Sequence, residues 1–309
     1  MLRCSAKRGG NKAILVAGPT ASGKSGVAAA LAREINGVVV NADSMQVWRD
    51  VPTLTARPTA ADREKADHRL YGFLEPAESF SVAKWLNAAV SEIEKIRAEG
   101  RIPIVTGGTG LYFQALCEGL SPVPETDPAV RRRIAEQIAA QGFDAFLKDF
   151  QRRDPSFVFT DPQRTARAAE VLEQTGVSIT EWQKRPPVKK AELDCFGIFI
   201  DPPRPVLYER CEKRFDAMMR GDVFSEIETL LAKDPPEDAP VMKAIGVREL
   251  TAFKNGAVSR ETAVERAKQA TRNYAKRQVT WFSHRFKADF TADSDKIESI
   301  LTNVLHFLS

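Results

Sequence analysis

Three short apolar runs, Ala13 to Ala17, Val38 to Val40 and Ile102 to Val105, each end in a turn of small or polar residues. The turns are Gly18-Pro19-Thr20, Asn41-Ala42-Asp43-Ser44 and Thr106-Gly107-Gly108-Thr109. Short apolar runs bounded this way predict strands buried on both faces, the pattern of a parallel sheet. Between the runs the period changes. Lys24 to Asn36 carries small and apolar residues at helical spacing and is closed by Gly37. After Ser81, the residues Val82, Leu86, Ala89, Val90, Ile93 and Ile96 share one helical face, and Gly100 lies beyond its end. A capping hydroxyl before the first turn and a glycine after the last mark an amphipathic helix. Strands alternating with helices predict an α/β fold with a parallel sheet.

From about Leu120 the strand pattern stops. Until about Pro187 the chain reads as helices broken by Pro122, Pro124, Pro128, Pro155 and Pro162. Cys195 to Ile200 resumes as a strand before Asp201-Pro202-Pro203, and from Val206 onward the pattern is helical apart from a break near Asp234 to Pro240. The expected division is a first core part over 1–119, a helical insertion over 120–190, and a second core part with basic C-terminal helices over 191–309. A chain of 309 residues is long enough for one core plus such an insertion. Met1 to Lys12, short, polar and cationic, reads as a disordered lead-in without the apolar run of a secretory signal.

Gly18-Pro19-Thr20-Ala21-Ser22-Gly23-Lys24-Ser25 fulfils G-x-x-x-x-G-K-[ST] between a predicted strand and a predicted helix. The glycines allow backbone N–H groups to turn toward phosphate oxygens, Lys24 adds a mobile charge, Ser25 can ligate Mg²⁺, and the helix dipole favours an anion. An ordinary tight turn has no need of Lys24 and Ser25, so a di- or triphosphate site is predicted. The motif leaves ATP-binding enzymes, kinases and other diphosphate users open. A nucleotide-hydrolysing P-loop protein usually carries an acid after an apolar strand. Here Ile102 to Val105 ends in Thr106-Gly107-Gly108-Thr109-Gly110. ATP hydrolysis is thereby weakened but left open, since Asp43 or Asp201 could serve a metal.

Composition narrows the class further. With 43% hydrophobic and 28% charged residues and no long apolar run, a cytoplasmic globular protein is expected, with no membrane partner. Cys4, Cys117, Cys195 and Cys211 are scattered, show no C-x-x-C pair and read as thiols without a chemical role. The net charge is only +4, but Lys243 to Lys287 holds eleven Lys or Arg against three acids. A solvated helix face is the ordinary meaning of such a run.

Taken together, Gly18 to Ser25, Asn41-Ala42-Asp43-Ser44-Met45-Gln46-Val47 and Gly107-Gly108-Thr109-Gly110-Leu111-Tyr112 resemble, in order, blocks of the tRNA dimethylallyltransferase family. Asp161-Pro162-Gln163-Arg164 to Arg167, Lys243-Ala244-Ile245-Gly246, and Tyr274-Ala275-Lys276-Arg277-Gln278 through Trp281-Phe282 extend the likeness over nearly the whole chain. Three places depart from the family pattern. Trp48 stands for a usual tyrosine, Arg57 for a lysine, and His68-Arg69-Leu70 for His-His-Leu.

The resemblance implies a P-loop NTPase-like core and transfer of a dimethylallyl group from dimethylallyl diphosphate to the exocyclic amine of the adenosine 3′ of the anticodon. The implied partner is the tRNA anticodon arm, with Mg²⁺ as cofactor and a monomer as the expected state. A carboxylate at Asp43 would serve equally as general base, metal or water ligand, or helix cap; the resemblance selects the base. Thr109 becomes a donor to the bridging oxygen of the diphosphate, or else a turn residue. Lys24 carries the charge of the cradle, and Arg210 and Arg214, four apart on a helix, could aim one guanidinium at it, Arg214 being the choice. For RNA, the resemblance points to Asp43, Ser44, Met45, Gln46 and Thr109, and to Arg131, Gln163, Arg164, Thr165, Ala166 and Arg167. Arg164 and Arg167 are one turn apart and are expected to address phosphates together. Gln46 could offer donor and acceptor to a base. With tRNA expected, Lys268, Arg272 and Lys276 read as a basic ridge backed by Val264, Ala267, Thr271 and Tyr274. A small-molecule P-loop kinase is the main rival, separated by its need for ATP. An RNA-binding protein with a degenerate P-loop is disfavoured by the intact Lys24, Ser25 and Asp43.

Overall fold

In the computed structural model, residues 11–188, 191–236 and 239–309 are described. Their strands are β1 (Lys12–Ala17), β2 (Gly37–Asn41), β3 (His68–Arg69), β4 (Ile102–Gly107), β5 (Asp194–Ile200) and β6 (Phe290–Ala292). They form one parallel sheet in the order β3-β2-β4-β1-β5-β6. The helices are α1 (Lys24–Glu34), α2 (Ala60–Lys65), α3 (Val82–Ala98), α4 (Gly110–Glu118), α5 (Pro128–Gln141), α6 (Phe143–Arg153), α7 (Pro162–Thr175) and α8 (Ile179–Lys184). They continue with α9 (Arg204–Met219), α10 (Val223–Ala232), α11 (Val247–Lys254), α12 (Arg260–Arg285) and α13 (Ile297–Leu308).

The chain divides into two compact units, one of Met1–Cys117 with Lys190–Ser309 and the other of Glu118–Lys189. In the first, β1 lies between β4 and β5, so the strand order reverses there. The carboxyl ends of β1, β2, β4 and β5 share one edge, where open parallel sheets bind ligands. On one face of the sheet, Ile14, Val16, Val39, Ile104, Ile198 and Ile200 form a core with Val27, Ala28 and Leu31 of α1 and Ile300 and Val304 of α13. Helix α3 packs on β2 and β4, with Trp85, Leu86, Ala89, Ile93 and Ile96 buried. Its Ser81 side chain accepts the Lys84 N–H, and Gly100 follows at φ +70°.

Helix α12 is about 39 Å long at 1.5 Å per residue. Its buried stripe, Ala263, Ala267, Thr271, Ala275, Gln278 and Phe282, is mostly small, which allows α9 and α11 to pack close against it. A second core joins Val47, Trp48, Val51 and Leu54 to Phe215, Ile227, Leu230, Val247 and Leu250.

The helical unit has its own core of Val130, Ile134, Phe146, Phe150, Phe157, Ala168 and Ala169. Pro128 and Pro162 begin helices instead of breaking them. Each is the first residue after an aspartate cap, with Asp127 accepting from Ala129 N–H and Asp161 from Arg164 N–H.

Two expectations need correction. The C-terminal part is not wholly helical, because β6 pairs with β5, and β3 extends the opposite edge beside β2. Residues 1–10 of the expected lead-in lie outside the described ones; Asn11 Nδ2 donates to the Glu192 carbonyl at 2.9 Å, and Lys12 opens β1, its Nζ donating to the Leu308 carbonyl at 2.8 Å.

Candidate active site

At the end of β1 the chain turns through Gly18 to Gly23 into α1, whose first-turn N–H groups have no intrahelical acceptor and receive no side-chain cap. Gly23 has φ +91°. Gly18 is bare because a Cβ there would press on the Ile200 carbonyl and Ser22 Oγ. Lys24 Nζ donates to the Pro19 carbonyl at 3.1 Å. Arg214 donates to Thr20 Oγ1. Arg210 Nη1 lies 3.4 Å from the Ser22 carbonyl and pairs with Asp293 at 3.2 Å. Burial lowers the Lys24 ammonium to about 8, Asp43 pulling it up and Arg214 pushing it down. Arg214 is also held below its ordinary value, chiefly by burial. These cations on a helix N-terminus form a site for a condensed anion.

Asp43 follows β2 and is buried. The buried Asn41 side chain builds its turn: Oδ1 accepts the Asp43 N–H at 2.8 Å, and Nδ2 donates to the Asp43 and Leu70 carbonyls, each at 3.0 Å. Trp85 Nε1 donates to the Asn41 carbonyl at 2.8 Å, and the Tyr112 ring stacks on Trp85. Asp43 Oδ1 accepts the Met45 N–H at 2.9 Å. Thr109, in the loop after β4, accepts the Ser44 N–H on Oγ1 at 2.9 Å and lies 3.3 Å from Ser44 Oγ. Burial, reinforced by Asp43, pushes the phenols of Tyr71, Tyr112 and Tyr274 up, so they stay neutral.

A cavity of about 240 Å³ adjoins these groups. Thr20, Asp43, Ser44, Arg214, Thr271 and Tyr274 give it a polar side, while Met45, Leu54, Phe215, Met218, Ala244 and Ile245 give it an apolar wall. Lys243 and Arg277 also line it. This arrangement suits a short hydrocarbon attached to a charged head. Sequence reasoning gave no role to the apolar wall apart from Met45, which it assigned to RNA, although Lys243-Ala244-Ile245 stood in a block marked by resemblance.

An Mg²⁺ ion fits the donor chemistry. Ser25 is exposed on the first turn of α1 and offers a hard oxygen. No group of three His, Cys, Asp or Glu side chains suited to a metal stands among the described residues. Most ligands would therefore come from phosphate and water, as is usual for Mg²⁺.

The RNA candidates fare unevenly. Ser44 and Met45 line the cavity. Gln46 is less free than expected, since its Nε2 donates to the Thr55 and Ala56 carbonyls at 2.9 Å each, leaving only its oxygen for a base. In the helical unit, Gln163 and Arg164 are exposed, with the Arg164 guanidinium 5.0 Å over the Phe159 ring. Thr165 is fully buried and bonds the Asp161 carbonyl, so it helps fold α7 and has no surface for RNA; Ala166 is half-buried against the same core. Arg167 is also turned inward, donating to the Pro124 carbonyl at 2.8 Å and to Thr126 and pairing with Glu170 at 3.6 Å. Arg164 and Arg167 therefore do not present a common phosphate clamp. Arg131 stays exposed, 3.7 Å from Glu170. The expected ridge on α12 is partly neutralised: Lys268 pairs with Asp216 at 2.7 Å and Arg272 with Glu212, while Lys276 is exposed.

The departures from the family pattern are absorbed by packing. Trp48 is buried in the second core. Arg57 folds back to donate to the Trp48 and Arg49 carbonyls at 3.1 and 3.2 Å. Arg69 pairs with Glu92 at 3.1 Å. Cys195 and Cys211 are buried free thiols.

Comparison with known proteins gives a consistent result. The model of the IPP transferase family matches residues 46–285. A tRNA dimethylallyltransferase of Paramagnetospirillum magneticum is 45% identical over 296 residues, 94% of each chain. Another, from a Chelativorans species, is 45% identical over 283 residues, 90% of this chain and 97% of the relative. Among solved structures, the full-length tRNA isopentenylpyrophosphate transferase of Bacillus halodurans has a TM-score of 0.69 at 30% identity and 96% coverage of both chains. A eukaryotic dimethylallyltransferase described as acting on tRNA has a TM-score of 0.76 at 27% identity, covering 96% of this chain and 77% of its own.

Proposed function

The chain belongs to the IPP transferase family, and we propose that it transfers a dimethylallyl group from dimethylallyl diphosphate to the exocyclic N6 amine of the adenosine 3′ of the tRNA anticodon. One observation carries the reading. A cationic cradle at the end of β1 and a buried carboxylate at the end of β2 open onto the same cavity with an apolar wall. The diphosphate belongs on the cradle and the five-carbon chain along Met45, Leu54, Phe215 and Met218. A target base must leave its stack to reach Asp43. A cytoplasmic location belongs to this reading, since tRNA is its substrate; no helix among the described residues is long and apolar enough to cross a membrane.

In the reaction the amine nitrogen forms a bond to the terminal allylic carbon while the carbon–oxygen bond to the diphosphate breaks. Negative charge grows on the leaving oxygens, where Lys24, Arg214 and the first-turn N–H groups of α1 stabilise it. The Thr109 hydroxyl donates to the bridging oxygen. Asp43 accepts the proton that the amine sheds. Ser25 would help hold Mg²⁺, which when bound adds positive charge against the diphosphate.

The kinase alternative would share the cradle but require ATP. The test incubates the protein with unmodified tRNA, Mg²⁺ and dimethylallyl diphosphate without ATP, then digests the RNA and analyses its nucleosides by mass. A C5H8 gain on one adenosine of the anticodon loop is expected. No gain, or a gain dependent on ATP, would overturn the reading.

A further inference from the structure

The segment Tyr274 to Gln278 and the following Trp281 take no part in the reaction as derived, yet α12 reaches both halves of the site through Gln278. This residue is buried. Its Oε1 accepts the Thr20 N–H at 2.8 Å, and its Nε2 donates to the Gly108 carbonyl at 2.8 Å. Thr20 is in the phosphate cradle, and Gly108 immediately precedes Thr109. Both partners are backbone groups of fixed polarity, so an acceptor must face one and a donor the other. Glutamine has both on one planar group; glutamate lacks the donor, and methionine has no donor and only a weak sulfur acceptor.

The glycines of the β4 loop belong to the same joint. A Cβ on Gly108 would overlap Gln278 Nε2, and one on Gly110 would overlap the Trp281 ring. The chain is bare at these two positions, one in the loop and one at the start of α4, because α12 lies directly on them. Thr20 also receives the Arg214 guanidinium on its hydroxyl, so a shift of Thr20 would carry Arg214 with it. One turn earlier on α12, Tyr274 lines the cavity.

We propose that Gln278 is a positioning residue for the transfer, fixing the spacing between the diphosphate cradle at Thr20 and the Thr109 hydroxyl so that both act on the same leaving group. The inference rests on the proposed function. Catalytic groups held by a rigid helix keep a spacing that loops alone do not, and a misplacement of about 1 Å can cost about 100-fold in rate.

The experiment is a double-mutant cycle of Gln278→Met with Thr109→Ala, read as the single-turnover transfer rate with both substrates saturating, beside tRNA affinity and melting temperature. Gln278→Met alone is expected to slow transfer about 100-fold while tRNA affinity stays within about twofold of the parent. In the Thr109→Ala background the same change should cost far less, because the group it positions is already gone. A merely structural role would lower the melting temperature and leave the two losses multiplicative. If Gln278→Met does not fold, Gln278→Glu, which keeps the Thr20 bond, takes its place in the cycle. An unchanged rate or multiplicative losses would overturn the proposal. A parent protein that transfers no prenyl group would instead overturn the function on which it rests.

Discussion

Thr109 Oγ1 accepts the backbone N–H of Ser44 at 2.9 Å, and this bond joins the loop after β4 to the loop after β2. With one lone pair engaged there, the hydroxyl is oriented and keeps its proton to give, in this structure toward Ser44 Oγ. Thr109→Ala should therefore lower the single-turnover rate by roughly 100- to 1,000-fold, the usual loss for one donor to a developing oxyanion, with tRNA affinity unchanged. Thr109→Ser should retain most of the rate. Equal rates for Thr109→Ala and the parent would leave Thr109 as a turn residue only.

A pH dependence follows from the burial of Lys24, whose ammonium is lowered to about 8 in the free protein. A diphosphate prefers the charged form. Affinity should thus be full below pH 8 and fall above it, by at most about tenfold per pH unit. Calorimetric titration with inorganic diphosphate across a pH series bracketing 8 measures this. Lys24→Ala should bind weakly, and its profile, which carries the titration of the ligand itself, should lack the extra step. A parent profile parallel to that of Lys24→Ala would show that Lys24 does not meet the anion.

The two arginines of α7 should separate by experiment. Arg164 is exposed, so Arg164→Ala should weaken tRNA binding, reduce the salt slope by about one and leave melting unchanged. Arg167 holds Pro124, Thr126 and Glu170, so Arg167→Ala should cost about 1–2 kcal/mol of stability in thermal or denaturant unfolding and affect the salt slope less. If Arg167→Ala changed the slope as much as Arg164→Ala without destabilising the protein, the inward bonds of Arg167 would give way to RNA.

The strands and the cradle were legible where the information is local. The P-loop declares itself within eight consecutive residues, and β1, β2 and β4 are continuous apolar runs. β3 and β6, two and three residues long, carry no such run and exist through register with β2 and β5. Arg210 and Arg214 are equivalent in sequence. Asp293, from the turn after β6, engages Arg210 and helps to distinguish them. Spacing along α7 placed Arg164 and Arg167 on one face but could not reveal that Thr126, in the loop before α5, engages Arg167. Gln278 was illegible as a joint because its partners lie 258 and 170 positions away.

The most direct test of the account concerns Asp43, which must take the amine proton as the new bond forms. Asp43→Asn preserves the side-chain oxygen that accepts the Met45 N–H, so the turn and both substrate sites should persist. The measurement is the single-turnover rate of C5H8 addition to tRNA, with tRNA and dimethylallyl diphosphate both saturating. The account expects near-parent affinities for both substrates and a rate lower by about 100-fold or more. A rate within about twofold of the parent would contradict it and return Asp43 to a structural part.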